Sequence, residues 1–235
     1  MQVQLWMWFV FLAAIIFPFP VGAASSPVMT AGRVEPLDES RLDPGFAAFW
    51  AHFKDVVSRR AIAGLRDIVA EDIYWSFALE NVPDMHSRDR LLAFWQREDP
   101  DGLWLELQHV IDAGGIFTRG IDGTRHMDSF EFPSSCVRFA VSGNYEAHII
   151  AFREGVKIYA APMHDSAVLG SVDYAVLRAA PVVGQVSAYW HRVHVSADTF
   201  GFVSERDVCR PLGYRGRFAL TPQGWRLVTF IVGEP

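Results

Sequence analysis

The most reactive side chains in this sequence are two thiols, a scatter of imidazoles and several paired carboxylates, and their spacing limits what each can do. A thiol becomes a nucleophile when a neighbouring imidazole or a helix N-terminus lowers its pKa. Cys136 stands in the strand-like run CVRFAV and Cys209 follows the strand-like GFVSERDV, so neither occupies a capped helix start and no cysteine nucleophile is expected. Metal binding needs ligands that converge. His191 and His194 are three apart in a strand-like segment, which points them to opposite faces. His126 and Asp128 are two apart and share a face, a spacing that a solvated pair on a loop meets equally well. His164-Asp165 reads as a polar loop tip. Glu71-Asp72 and the pair Asp99 and Asp101 fall at helix ends and turns, where acids cap backbone N–H groups. No catalytic residue, metal or cofactor is therefore expected.

Composition sets the body that must carry any site. The 235 residues are 51% apolar and 14% aromatic, enough for one large or two small cores. The formal charge of -6, with Lys and Arg scattered singly, lacks the basic patch of a nucleic-acid binder and disfavours an anionic partner. The first 32 residues carry no charged side chain, and Leu5 to Phe17 is an apolar run of 13 closed by Pro18 and Pro20. A bilayer needs about 20 helical residues, so this run is too short to span one. Small residues at Val21-Gly22-Ala23-Ala24 complete the pattern of a secretory leader over residues 1–23, although no Lys or Arg precedes the apolar run. An uncleaved anchor is the alternative, and contact with a membrane is expected only through it. The chain is expected in the periplasm or outside the cell. Such a compartment permits a Cys136–Cys209 disulfide closing a loop of about 70 residues, worth about 4 kcal/mol. Two separate half-buried thiols satisfy the sequence as well.

Residues 24–42 are polar, with Pro and Gly, and read as a linker. Asp43 and Pro44 open a helix whose face is Phe46, Phe49, Trp50, Phe53, Val56 and Val57. A second helix is expected over 61–70, and alternation in Ile73, Trp75, Phe77 and Leu79 predicts a half-buried strand. Two more helices follow, one capped by Ser87 with Leu91, Leu92, Phe94 and Trp95, and one over 103–113 stopped by Gly114-Gly115. From Ile116 the pattern turns to short strands: IFTR, SFEF, CVRFAV and HIIAF.

The segment VKIYAAP, then SAVLGSV, then YWHRV, then GFV, within residues 156–208, resembles a bacterial SH3 (SH3b) domain. Tyr159 stands where that family usually has Arg, and Ala188 where it has Gly. The resemblance implies a small barrel, with Val156, Ile158, Val168, Leu169, Val193 and Val203 placed to fill it. The hairpin 214–232 has no place in such a barrel. Its Phe218, Gly224-Trp225 and terminal Gly-acid are similar to the closing hairpin of NTF2-like α+β domains, as is the helix-helix-strand order of residues 44–79. The expected organisation is α+β: an α+β domain over 43–150, an SH3b-like barrel over 151–210, and a hairpin over 211–235 that packs back on the first domain beside strand 73–79.

The SH3b resemblance further implies a shallow groove for an extended peptide, lined by Tyr159, Tyr174, Tyr189, Trp190 and Phe202. A non-catalytic binding role follows, toward a cell-wall peptide or another envelope protein. The NTF2-like resemblance implies the alternative, a small-molecule pocket or enzyme site within residues 44–135 with Tyr74, Trp75, His86 or His109 at its lip.

Overall fold

A computed structural model describes residues 28–77, 88–98, 101–140, 147–181 and 189–233; the leader, His86, Ser87, Asp99 and Ala188 lie outside these described residues. Helix α1 (Pro44–Ser58) starts where the Asp43 carboxylate accepts from the Phe46 N–H at 2.6 Å, with Pro44 in the first turn. Helix α2 (Ile62–Ile68) runs directly into β2 (Val69–Phe77). Helices α3 (Arg88–Glu98) and α4 (Gly102–Asp112) follow, then β3 (Ile116–Arg119) and β4 (Arg125–Phe132). The C-terminal hairpin, β12 (Arg215–Thr221) and β13 (Gly224–Val232), completes a sheet of order β2-β13-β12-β4-β3. Within it β13 runs parallel to β2, with Thr229 opposite Tyr74 and Phe230 opposite Trp75.

The helices cover one face of this sheet and fill the space against it with rings. Phe46 lies 4.3 Å from Phe130 and 4.6 Å from Trp225, and Phe132 stacks on Phe218 at 5.0 Å. Backbone must come close to make room for them. A Cβ at Gly115 would fall 2.1 Å from Phe130 Cε1, and one at Gly216 would fall 2.2 Å from Phe132 Cζ. A cavity of about 650 Å³ opens beside Asp67, Val69, Glu71, Asp72 and Arg88, while the space between the helices and this face of the sheet is filled by side chains. Trp75 is one of them, whereas Tyr74 is exposed.

The other half holds two sheets. One has the order β1 (Thr30–Arg33), β8 (Ala175–Arg178), β5 (His148–Ala151), β11 (Val208–Cys209). The second has the order β7 (Val168–Val172), β6 (Val156–Tyr159), β10 (Phe200–Ser204), β9 (Trp190–His194). Ile149, Ile158, Leu177, Val193, Val203 and Val208 form their shared core.

Three expectations require correction. Neither sheet closes into a barrel, strand outweighs helix in the described chain, and the α+β-plus-SH3b-barrel description does not hold. The cause is β8, which leaves the β6–β7 meander and pairs on both edges with β1 and β5, strands that precede that meander in the chain. Among the described residues an isolated bridge, Ala179 to Val193, with the Ala180 N–H donating to the Arg192 carbonyl, links the end of β8 to the second sheet. Residues 28–42 are no linker: they supply β1, a 3-10 turn at Ser40–Leu42, and Glu39, whose carboxylate takes the Phe117 N–H and the guanidiniums of Arg119 and Arg125. Finally, the run CVRFAV is not a strand, since helix α5 (Ser134–Ala140) holds most of it. The Ser134 hydroxyl donates to the Ala113 carbonyl and accepts from the Leu37 N–H, fixing the start of that helix.

Helix α5 brings Cys136 to Cys209, and the two are joined as a disulfide with Cα atoms 6.2 Å apart across 73 positions of sequence. Around it Ala113, Ile150, Phe152 and Val176 form a third small core that fastens the helical half to the double sheet. The disulfide is consistent with an exported protein. No described helix is long and apolar enough to cross a membrane.

Candidate ligand-binding site

In the β9–β10 ladder, directly opposed residues share a face. His191, Val193, Gly201 and Val203 therefore point to the shared core, while Trp190, Arg192, His194, Phe200 and Phe202 point outward. Phe202 lies opposite Tyr159 of β6, and Tyr159 lies opposite Val168 of β7, so the outward face continues across the sheet. Its rings are ordered by one another. Tyr159 meets Trp190 edge-on at 5.5 Å, and His164, from the β6–β7 loop, sits 4.7 Å from Trp190 and 5.6 Å from Tyr159. Arg192 sits over the Phe200 ring at 3.9 Å, a cation–π contact. Within this cluster Tyr159 is buried, Trp190 half-buried and His164 exposed, and beside it Met163 and Val168 are exposed, at 51% and 50%.

Tyr189, 66% exposed, belongs to a second feature. A cleft of about 490 Å³ runs between α4 and the segment after β10, lined by Leu105, Gln108, His109, Tyr189, Glu205 and Arg206 among others. Ion pairs hold its walls: Arg153 binds Asp112 at 2.6 Å and Asp207 at 3.6 Å, and Arg60 binds Asp101 at the α4 start. The inward His191 contacts the Glu205 carboxylate through Nε2. Burial pushes Glu205 up from 4.5 to about 7, opposed by the nearby Arg210 charge. The same burial pushes His191 down to about 4, with Arg210 and His109 acting in the same direction. His109, enclosed between α4 and β11 and hydrogen-bonded to the Val208 carbonyl, is also lowered by burial to about 4. At mildly acid pH the pair is a neutral imidazole beside a protonated carboxyl.

The five aromatic candidates thus divide. Tyr159, Trp190 and Phe202 share the outward face, whereas Tyr189 lines the cleft. Tyr159 is itself buried, so its ring supports Trp190 more than it offers surface. Tyr174 is elsewhere, in the β7–β8 turn with φ at +50°, where Arg33 covers its ring at 5.1 Å. It lines a separate cavity of about 380 Å³ with Glu35 and Glu154, on the other side of the Asp112–Arg153 pair. His109, expected at the lip of an interior pocket, lines the cleft instead. His126 and Asp128 are both exposed, and among the described residues no group of three or more metal-ligating side chains converges. Sequence reasoning missed Glu205, Arg206, Gln108 and Leu105. The only local signal was the charged run Ser204-Glu205-Arg206-Asp207 placed directly after a buried strand.

No family model, curated protein or solved structure matches the chain.

Proposed function

We propose that this chain is a non-catalytic binding protein of the periplasm or the extracellular space, and that it takes an extended peptide across the outward face of β6, β9 and β10. The observation that carries this is the ordered cluster of Trp190, Tyr159 and His164 bordered by exposed Met163 and Val168. A half-buried Trp190 held by neighbouring rings and flanked by accessible apolar groups gives a ligand both a rigid platform and area to cover, as aromatic grooves for extended peptides do. Cell-wall stem peptide or a segment of another envelope protein supplies such a ligand.

The test is co-sedimentation with purified cell wall, and titration with soluble peptides, for the wild type and for Trp190→Ala and Tyr189→Ala. Trp190 is half-buried at the centre of the cluster and Tyr189 is exposed, so both substitutions are expected to lose binding, with thermal stability retained in Tyr189→Ala and lowered in Trp190→Ala. Wild-type binding that survives both substitutions overturns the proposal.

A further inference from the structure

The outer N–H and C=O groups of an edge strand are a template for another strand, and proteins blunt them with charge, shortness, bulges or cover. Among the described residues three open sheets present six edges, and five are protected in one of these ways. β3 is closed by residues 38–39: the Glu39 carboxylate accepts from the Phe117 N–H, and the Glu39 N–H donates to the Gly115 carbonyl. β2 carries exposed Glu71 and Asp72. β11 is two residues long, and His109 bonds its Val208 carbonyl. β1 is four residues long, is bulged between Thr30 and Gly32, and ends in Arg33. β9 is covered at the Arg192 carbonyl, and the Val195 carbonyl just beyond it is covered too; they accept from the Ala180 and Met29 N–H groups.

The sixth edge is β7. Its sequence, VLGSV, has no charge and no proline, and among the described residues its backbone pairs with β6 alone. A bulge at Leu169, where Tyr159 faces Val168 and Ile158 faces Gly170, bends the strand and restricts an added segment to a few residues. It brings no charge and covers no backbone group. Val168 is 50% exposed and stands opposite Tyr159 at the loop end of the β6–β7 hairpin, next to the loop that carries Met163 and His164.

We infer that part of the bound peptide is held through its main chain, as a short strand added along the free edge of β7. A peptide that leaves the Trp190 cluster past His164 meets β7 at Val168 and runs on toward Val172 within the same sheet. Main-chain pairing supplies affinity that does not depend on sequence, and alternate side chains of the added strand fall on the outward face beside Val168. The inference rests on the peptide-binding role proposed above and adds the backbone contact that fixes the peptide in an extended form.

The probe is an array of random decapeptides screened with the full chain, whose tightest binder is then resynthesised with one N-methyl group at each backbone amide in turn. N-methylation removes one donor and leaves the side chains unchanged. Affinity is expected to fall about ten-fold at every second position over a run of about four residues, and by less than about two-fold at the positions between. Amide hydrogen exchange across Val168–Val172 is expected to slow in the complex, and Val168→Lys, which charges the edge at an exposed position, to weaken binding about ten-fold. Binding without that alternation, or without slowed exchange in β7, overturns the inference and leaves the peptide-binding role standing. Sedimentation in which the wild type self-associates and Val168→Lys stays monomeric assigns the edge to a second copy of the chain and overturns it also. An array with no binder overturns the peptide-binding role and this inference with it.

Discussion

Replacing Glu205 by Gln separates the ionisation of this buried carboxyl from its shape. In the folded chain the group titrates at about 7 and in the unfolded chain at 4.5. Between those values the unfolded state releases its proton while the folded state keeps it, so stability falls as pH rises from 4.5 to about 7 and is level above. The full interval corresponds to about 3 kcal/mol. With 20% of the side chain exposed, solvent screening reduces this to about 1–2 kcal/mol. Gln cannot ionise, and its amide still donates to His191. Urea unfolding at several pH values is the assay. The variant is expected to match the wild type at pH 4.5 and to exceed it by about 1–2 kcal/mol at pH 8. His109 and His191 act in the opposite sense: folded values near 4 against 6.5 unfolded mean that stability is lost as pH falls from 6.5 toward 4. That loss is common to both proteins to first order, so their difference isolates Glu205. A variant less stable than wild type at pH 8 refutes the reasoning, because the ionised carboxylate would then be making a net favourable contact, with Arg210 the nearest named cation.

Three other perturbations test the frame. Replacing both Cys136 and Cys209 by Ser opens a loop of 73 positions and is expected to remove about 4 kcal/mol, read as the gap between oxidised wild type and variant in denaturant; reduced wild type should then approach the variant. Glu39→Gln leaves Arg119 and Arg125 without the carboxylate they share and is expected to cost about 2–3 kcal/mol in a thermal melt, while a change below about 0.5 kcal/mol would show that this acid does not anchor residues 28–42. Gly216→Ala places a methyl 2.2 Å from the Phe132 ring and is expected to cost about 1–3 kcal/mol, with broadened ring signals in proton NMR as the packing shifts.

The helices and the hairpin were legible because their signals are local. Asp43-Pro44 and the Phe46 face specify α1 without reference to the rest of the chain, and Thr221 to Gly224 specifies the turn between β12 and β13. Residues 156–208 misled because short alternating strands encode a pleated face and not a partner. Whether β8 continues the meander or leaves it depends on β1 and β5, and β1 lies in a stretch, Thr30 to Arg33, with no apolar period at all. The run CVRFAV failed for a related reason. Six residues with mixed apolar and polar positions fit a strand or a helical turn, and the choice is made by Ser134, which bonds Ala113 and Leu37 from distant parts of the chain.

The candidate site was half legible on the same grounds. Trp190 and Phe202 sit on strands whose alternation announces an outward face, so their grouping follows from register alone. Glu205, Arg206 and His109 come together only because α4 docks against β11, a contact between residues about one hundred positions apart. The elements that dock also explain why a site can persist there. Arg153 bridges Asp112 on α4 to Asp207 beside β11, and the disulfide lies next to Arg210, so the cleft walls are fixed by an ion-pair chain on one side and a covalent bond on the other. The aromatic face, by contrast, belongs wholly to one sheet.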